Sequence, residues 1–218
     1  MKSVIIYSGG LDSTVLLYKL SSEHAATEAV SINYGQRHAK ELEFARLNCQ
    51  KLGVNFNLID LSSLNSVFGN CALTNKNIEV PEGEYAEGNI SQTVVPNRNM
   101  IMLSIAAARA MALGCDSVSY AAHSGDHALY PDCTTEFADA LAGAIRLADK
   151  RKIELLRPFI NIGKSEIVRL GADLGVDFSQ TWSCYKGGKL HCGKCSTCME
   201  RRQAFISAGV PDPTEYES

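Results

Sequence analysis

The sequence predicts an α/β fold: a doubly wound parallel sheet carrying a small metal-binding module at its C-terminal end. Three observations lead there. Short apolar runs alternate with helical patterns along most of the 218 residues, which is the rhythm of strand–helix–strand units. The first apolar run passes through two glycines directly into a helix, the arrangement by which an open α/β sheet presents a ligand site beyond its strand ends. Finally, Cys184, Cys192, Cys195 and Cys198 cluster in a stretch whose composition differs from all that precedes it.

The elements follow in order. SVIIY at 3–7 is a short apolar run suited to a strand buried on both faces. A helix is expected over 13–22, then strand EAVSIN at 28–33, a helix over 38–52 and strand NFNLID at 55–60. Residues 69–93 show no clear period and are rich in Gly, Asn and Glu, so a lid, a binding loop or a surface insertion is expected there. Over 98–113 apolar residues crowd most faces, the mark of a helix buried against a sheet. Strand 116–121, helix 134–149, strand 153–156 and helix 164–175 complete the sheet domain, and a last helix is expected over about 198–208. The organisation expected is a domain over 1–179 and a C-terminal module over 180–218.

Composition narrows the function. Hydrophobic residues make up 45% of the chain, enough for an ordinary core. With 21 basic and 24 acidic residues the net charge is −3. A protein gripping many nucleic-acid phosphates is usually basic, so no stable nucleic-acid partner is expected. MKSVIIYSGG lacks a leader pattern and no window reaches the apolar length of a membrane span, so a cytoplasmic, membrane-free protein is expected. In that compartment cysteines point to metal or catalysis rather than to disulfides.

Residues 8–14, SGGLDST, form the most informative stretch. Glycine permits positive φ and close approach of a ligand, and the helix that follows offers unpaired N–H groups and a positive dipole end. Ser8, Ser13 and Thr14 add hydroxyls. No Lys-Ser or Lys-Thr pair follows, which argues against a Walker-type loop. Asp12 beside a polyphosphate needs a compensating cation, so Mg²⁺ bridging Asp12 and phosphate is expected, with simple helix capping as the alternative.

Set between a strand and a helix, SGGLDS resembles the pyrophosphate loop of the N-type ATP pyrophosphatase (PP-loop) superfamily, which has the adenine nucleotide alpha hydrolase-like fold. The resemblance implies ATP cleavage between the α and β phosphates and transfer of AMP to a substrate oxygen. It places Ser8, Gly9, Gly10, Leu11, Asp12, Ser13 and Thr14 at the nucleotide. Asn33-Tyr34-Gly35-Gln36, at the tip of the second strand, would let Tyr34 and Gln36 line the adenosine pocket through backbone groups, with a plain turn as the alternative. In VPNRN, Arg98 between Asn97 and Asn99 is a candidate phosphate clamp, with a helix N-cap and a surface arginine as the alternative. Lys164 opens a helix, where a cation does not suit the dipole, and it resembles the superfamily lysine that meets the leaving pyrophosphate. Asp12, Arg98 and Lys164 are the candidate catalytic residues.

The C-x7-C-x2-C-x2-C pattern of Cys184, Cys192, Cys195 and Cys198 suits a closed structural Zn²⁺, with Zn–S near ~2.3 Å; a [4Fe–4S] cluster is the alternative. His191 is superfluous beside four thiolates. Lys186, Lys189, Lys194, Arg201 and Arg202 offset the charge of such a centre.

SGGLDST, AAHSGDHALYPDCTTEF and the four-cysteine cluster together resemble the 7-cyano-7-deazaguanine (preQ0) synthase family of queuosine biosynthesis, over essentially the whole chain. The resemblance implies an ATP-dependent ligase acting on 7-carboxy-7-deazaguanine and ammonia, and a homodimer. A guanine-like edge offers N–H donors, so Asp126 and Asp132 are candidates for base recognition, with Tyr130 or Phe137 for stacking; Asp132 as a helix cap and Phe137 as core are the alternatives. Cys133 is expected to pack or to touch substrate. His123 and His127 are read mainly as solvent-facing loop residues, with proton transfer from ammonium as the alternative. A tRNA-modifying enzyme with the same loop, and an ATP-binding regulatory domain, remain as rivals.

Overall fold

The computed structural model describes residues 1–126 and 130–217. Five strands form one parallel sheet in the order β3–β2–β1–β4–β5: β1 Ser3–Ile6, β2 Ala26–Asn33, β3 Asn55–Asp60, β4 Ser117–Ser119 and β5 Glu154–Leu156. Val4 stands opposite Glu28 on β2 and Val118 on β4. The chain winds outward from β1 to β3 on one side, then returns to lay β4 and β5 on the other. The switch point therefore lies between β1 and β4, where such sheets bind ligands.

Seven α-helices are present among the described residues: α1 Leu11–Ser22, α2 Glu41–Leu52, α3 Glu87–Thr93, α4 Arg98–Leu113, α5 Thr135–Ala148, α6 Lys164–Asp173 and α7 Ser196–Ala208. They cover both faces. Val4 and Val30 look towards Leu103, Ala106 and Ala110 of α4 and Leu141 of α5. Their chain neighbours Ile5 and Ala29 look the other way, towards Leu16 of α1, Ala45 of α2, Ile167 of α6 and Phe205 of α7. This alternation explains the unbroken apolar run of β1: with a core on each face, a strand has no polar side.

Two expectations need correction. The irregular segment 69–93 ends in a helix, α3. Its backbone is tied down by tertiary contact, with Ala72 N donating to the Gln92 carbonyl at 2.8 Å. The helix expected from 38 starts at Glu41, and His38 belongs to the turn before it.

Among the described residues no helix is long and apolar enough to cross a membrane. Thr134 caps α5, its hydroxyl accepting from Phe137 N at 3.2 Å. Thr134→Ala is expected to cost about 1 kcal/mol, read as a lower midpoint of urea unfolding with an unchanged slope.

Candidate active site

One cavity of about 270 Å³ opens at the switch point. Its floor is made of Ile6 and Tyr7 at the end of β1, Val30 and Ile32 of β2, and Tyr120 and Ala121 after β4. Ser8, Gly10, Leu11, Asp12 and Ser13 form one wall. The glycine turn is built as its residue types allow: Gly9 has φ +87°, whereas Gly10 sits at φ −75° as the N-cap of α1. Ser8 Oγ accepts from Gly10 N at 3.1 Å and lies 3.0 Å from Ser13 Oγ. Thr14 does not line the cavity; it is fully buried and donates to the Gly10 carbonyl at 2.7 Å, bracing the turn from behind.

Lys164 arrives from the first turn of α6, whose start is closed by Glu166 accepting from Gly163 N at 2.8 Å. Its Nζ lies 3.5 Å from Asp12 Oδ2 and 2.5 Å from Glu200 Oε2. The loop and the lysine, separated by some 150 residues of sequence, are thus brought to one point. Asp12 Oδ1 is buried and takes no hydrogen bond among the described residues, an orphaned acceptor of the kind a divalent cation satisfies. His123, expected at the solvent, is instead buried, with its Nε2 3.9 Å from Asp12 Oδ2 and its Nδ1 accepting from Gly125 N.

Arg98 and Tyr34 meet in the same cavity, the guanidinium donating to the phenol oxygen at 3.5 Å. Arg98 therefore lies at the Tyr34 end of the cavity. Gln36 turns inward rather than towards the cavity: its Oε1 accepts from Tyr34 N at 2.9 Å and its Nε2 donates to Glu41 Oε1 at 3.1 Å. Burial pushes the Glu41 carboxyl up to about 8 and the His38 imidazole down to about 3.

The base-recognition candidates separate. Tyr130 lines the cavity, as does Cys133, whose Sγ accepts from Asn99 Nδ2 at 3.2 Å. Asp132 is pinned to the start of α4, where its carboxylate accepts from Asn99 N at 3.1 Å. It lines an adjoining cavity with Phe137, whose ring also packs on the core. The side chain of Asp126, and His127 altogether, lie outside the described residues. Sequence reasoning missed Glu41, Glu200, Tyr85, Trp182 and Tyr185, all of which line the cavity. Glu41 reads as an ordinary first-turn acid of a helix, and the others carry no local signature.

The sulfur atoms of Cys184, Cys192, Cys195 and Cys198 all lie within 4.8 Å of one another and are buried. Backbone N–H groups of Cys192 and Cys195 point at Cys184 Sγ and Cys192 Sγ, each at 3.3 Å. Hydrogen bonds from the Cys184 and Cys198 thiols hold Cys195 far below the ordinary thiol range. The group is a preformed cluster that can hold a metal ion. His191 is not a spare ligand: its Nε2 accepts from Ser183 N at 3.1 Å and its ring lies 4.2 Å from that of Trp182. Nor does Arg201 stand among the surface cations. It is 1% exposed and donates to Thr181 Oγ1, Ser183 Oγ and the Phe178 carbonyl, anchoring α7.

Known proteins with these features were found by sequence and by fold. The family model of queuosine biosynthesis protein QueC matches residues 2–209. A 7-cyano-7-deazaguanine synthase of Caldicellulosiruptor bescii is 48% identical over 217 residues, covering 100% of this chain and 98% of that protein. One from Allorhizobium ampelinum is 49% identical over 219 residues, covering 100% and 93%. Among solved structures, a U34-tRNA thiolase of Methanococcus maripaludis with its [4Fe-4S] cluster superposes with a TM-score of 0.55 at 15% identity, covering 100% of this chain and 74% of that one. An NMN synthetase of Francisella tularensis gives 0.55 at 17%, covering 96% and 78%. At such low identity the structures speak for the fold alone. The sequence matches reach further, since they span loop, lysine and cysteine cluster together, and on that ground the chain belongs to the family of queuosine biosynthesis protein QueC.

Proposed function

We propose that this protein is a 7-cyano-7-deazaguanine synthase, a carbon–nitrogen ligase that turns the carboxylate of 7-carboxy-7-deazaguanine into a nitrile with ammonia and ATP. The observation that carries the reading is the meeting of the glycine turn, Asp12 and Lys164 at one cavity mouth, joined to full-length relatives of that name. A carboxylate resists ammonia because its oxygen leaves badly. Transfer of AMP to that oxygen, with release of pyrophosphate, makes it a leaving group. Ammonia then displaces AMP, losing a proton, and the product is the amide. A second AMP transfer, now to the amide oxygen, is followed by loss of AMP and a proton to give the nitrile. Both transfers need an oxygen in line with the α-phosphate, so one cavity serves both.

In this reading the N–H groups of the turn, Ser8, Ser13 and Lys164 hold the departing pyrophosphate. The β2 tip borders the nucleoside, Tyr34 and Arg98 stand where nucleoside and base meet, and Tyr130 borders the base. Asp12, with its orphaned oxygen, would hold Mg²⁺, whose charge neutralises the phosphates when bound. The four thiolates would hold one structural Zn²⁺, bracing residues 180–218 as a module. Mutual spacing within 4.8 Å supports a single ion, because the ligands of a four-iron cluster stand on separate irons.

The test is mass spectrometry of a reaction holding ATP, Mg²⁺, ammonium and 7-carboxy-7-deazaguanine. Nitrile with two AMP per product is the expected result, and ADP with orthophosphate would refute it. Lys164→Ala should lower kcat by about 100-fold with little change in the KM of the acid.

A further inference from the structure

Among the described residues three carboxylates line the cavity at the switch point: Asp12, Glu41 and Glu200. Two of them are committed to the phosphate end, since Asp12 and Glu200 flank Lys164 Nζ. Glu41 is not bound to that lysine; Gln36 joins its carboxyl to Tyr34. Its backbone is fixed: the Cα of Gly9 packs so closely on the Glu41 carbonyl that a Cβ there would come within 2.0 Å of the oxygen. Its carboxyl is fixed as well, because Gln36 Nε2 donates to Oε1 at 3.1 Å and His38 Nε2 lies 3.6 Å from the same atom. Gln36 is itself tied to Tyr34 N and the Ile32 carbonyl. The second oxygen, Oε2, takes no hydrogen bond among the described residues. Half-buried Arg98, which donates to Tyr34, lines the same cavity and its charge acts on this carboxyl, and Tyr34, Met102, Trp182 and Tyr185 supply flat or apolar walls nearby.

An acceptor oxygen held rigid beside a guanidinium donor, between apolar walls, is complementary to one kind of ligand edge. That edge carries a carbonyl next to two N–H donors, as in the pyrimidinone half of a deazaguanine. We propose that Glu41 is the specificity residue that reads this edge: its carboxylate accepts from the ring N–H and the exocyclic amino group, while Arg98 donates to the adjoining carbonyl oxygen. The inference rests on the function proposed above and adds the residue that selects the base. Burial of the carboxyl fits this role, because burial disfavours the free carboxylate and a pair of N–H donors restores it. A site built to hydrogen-bond a donor rejects the analogue that lacks it, since buried acceptors are then left unmatched.

The experiment compares kcat/KM for 7-carboxy-7-deazaguanine and for the same acid without its 2-amino group, in the wild-type protein and in Glu41→Gln. The wild type should lose about 100-fold on deletion of the amino group, and Glu41→Gln less than about 3-fold, with the KM for ATP unchanged in both. Equal losses in the two proteins would overturn the inference. So would a raised KM for ammonium with base discrimination intact, which would assign Glu41 to the nitrogen source. Wild-type protein that accepts both acids equally would overturn it without any variant. Should Glu41→Gln fail to fold, Glu41→Asp, with its acid withdrawn by one methylene, should discriminate by about 10-fold, and undiminished discrimination would count against the inference. Failure of the underlying reading looks different: the wild type would form nitrile from neither acid.

Discussion

Cys198→Ser is expected to release the metal and to unfold the C-terminal part of the chain, lowering Tm by more than about 10 °C. The four sulfur atoms are buried and lie within 4.8 Å of each other, so without an ion they are thiols crowding thiols. With an ion, ligand bonds replace that crowding and become folding free energy. Loss of one ligand, in a domain whose whole stability is about 5–15 kcal/mol, removes a large part of it. The damage should not stay local. Cys195 is the N-cap of α7 and Cys198 lies in its first turn, two residues before Glu200 and three before Arg201. Glu200 reaches Lys164, and Arg201 fastens α7 to Phe178, Thr181 and Ser183. Metal analysis and a melting curve with and without chelator are the measurements. Full metal content and an unshifted Tm would show that the cluster is not the brace it is taken for.

Much of the fold was legible because it depends on local pattern. Strands buried on both faces leave unbroken apolar runs, and α4 spans the 98–113 that its all-round apolar sequence predicts. What escaped depends on contacts remote in sequence. EGNISQT has a weak helical pattern, yet α3 forms because its end is tied to Ala72. His123 reads as an exposed loop residue; the switch point buries it beside Asp12. Tyr85 and the pair Trp182 and Tyr185 come from irregular segments nearly 100 residues apart and meet at one cavity, which no periodicity encodes. The glycine turn was readable because its glycines, hydroxyls and acid are adjacent in sequence. The cavity's carboxylates Glu41 and Glu200 were not, because the fold delivers them from distant helices. Asp132, a candidate by its chemistry, accepts from Asn99 N at the start of α4.

Gly9→Ala should abolish use of ATP, with kcat/KM for ATP down by more than about 1000-fold and stability lower by about 3 kcal/mol, while Gly10→Ala should cost about 10-fold and leave Tm near wild type. Sequence treats the two glycines alike; geometry does not. Gly9 has φ +87°, a region that a Cβ makes costly, and its Cβ would meet the Glu41 carbonyl oxygen at 2.0 Å and Ala45 N at 3.0 Å. Both are backbone atoms of α2, so no side-chain rotation relieves the clash. Either the turn withdraws from the phosphate position or α2 shifts and carries Glu41 with it. Gly10 has φ −75°, ordinary for any residue, and its Cβ would meet Ser8 Oγ at 3.1 Å, the end of a side chain that can turn, and the Trp182 carbonyl at 3.5 Å. Its cost arises from crowding the ligand. ATP titration and thermal melts of both variants separate these causes. If the two lost ATP equally with unchanged melts, the glycines would matter only for ligand approach, and the packing of the turn against α2 would have no part in holding it.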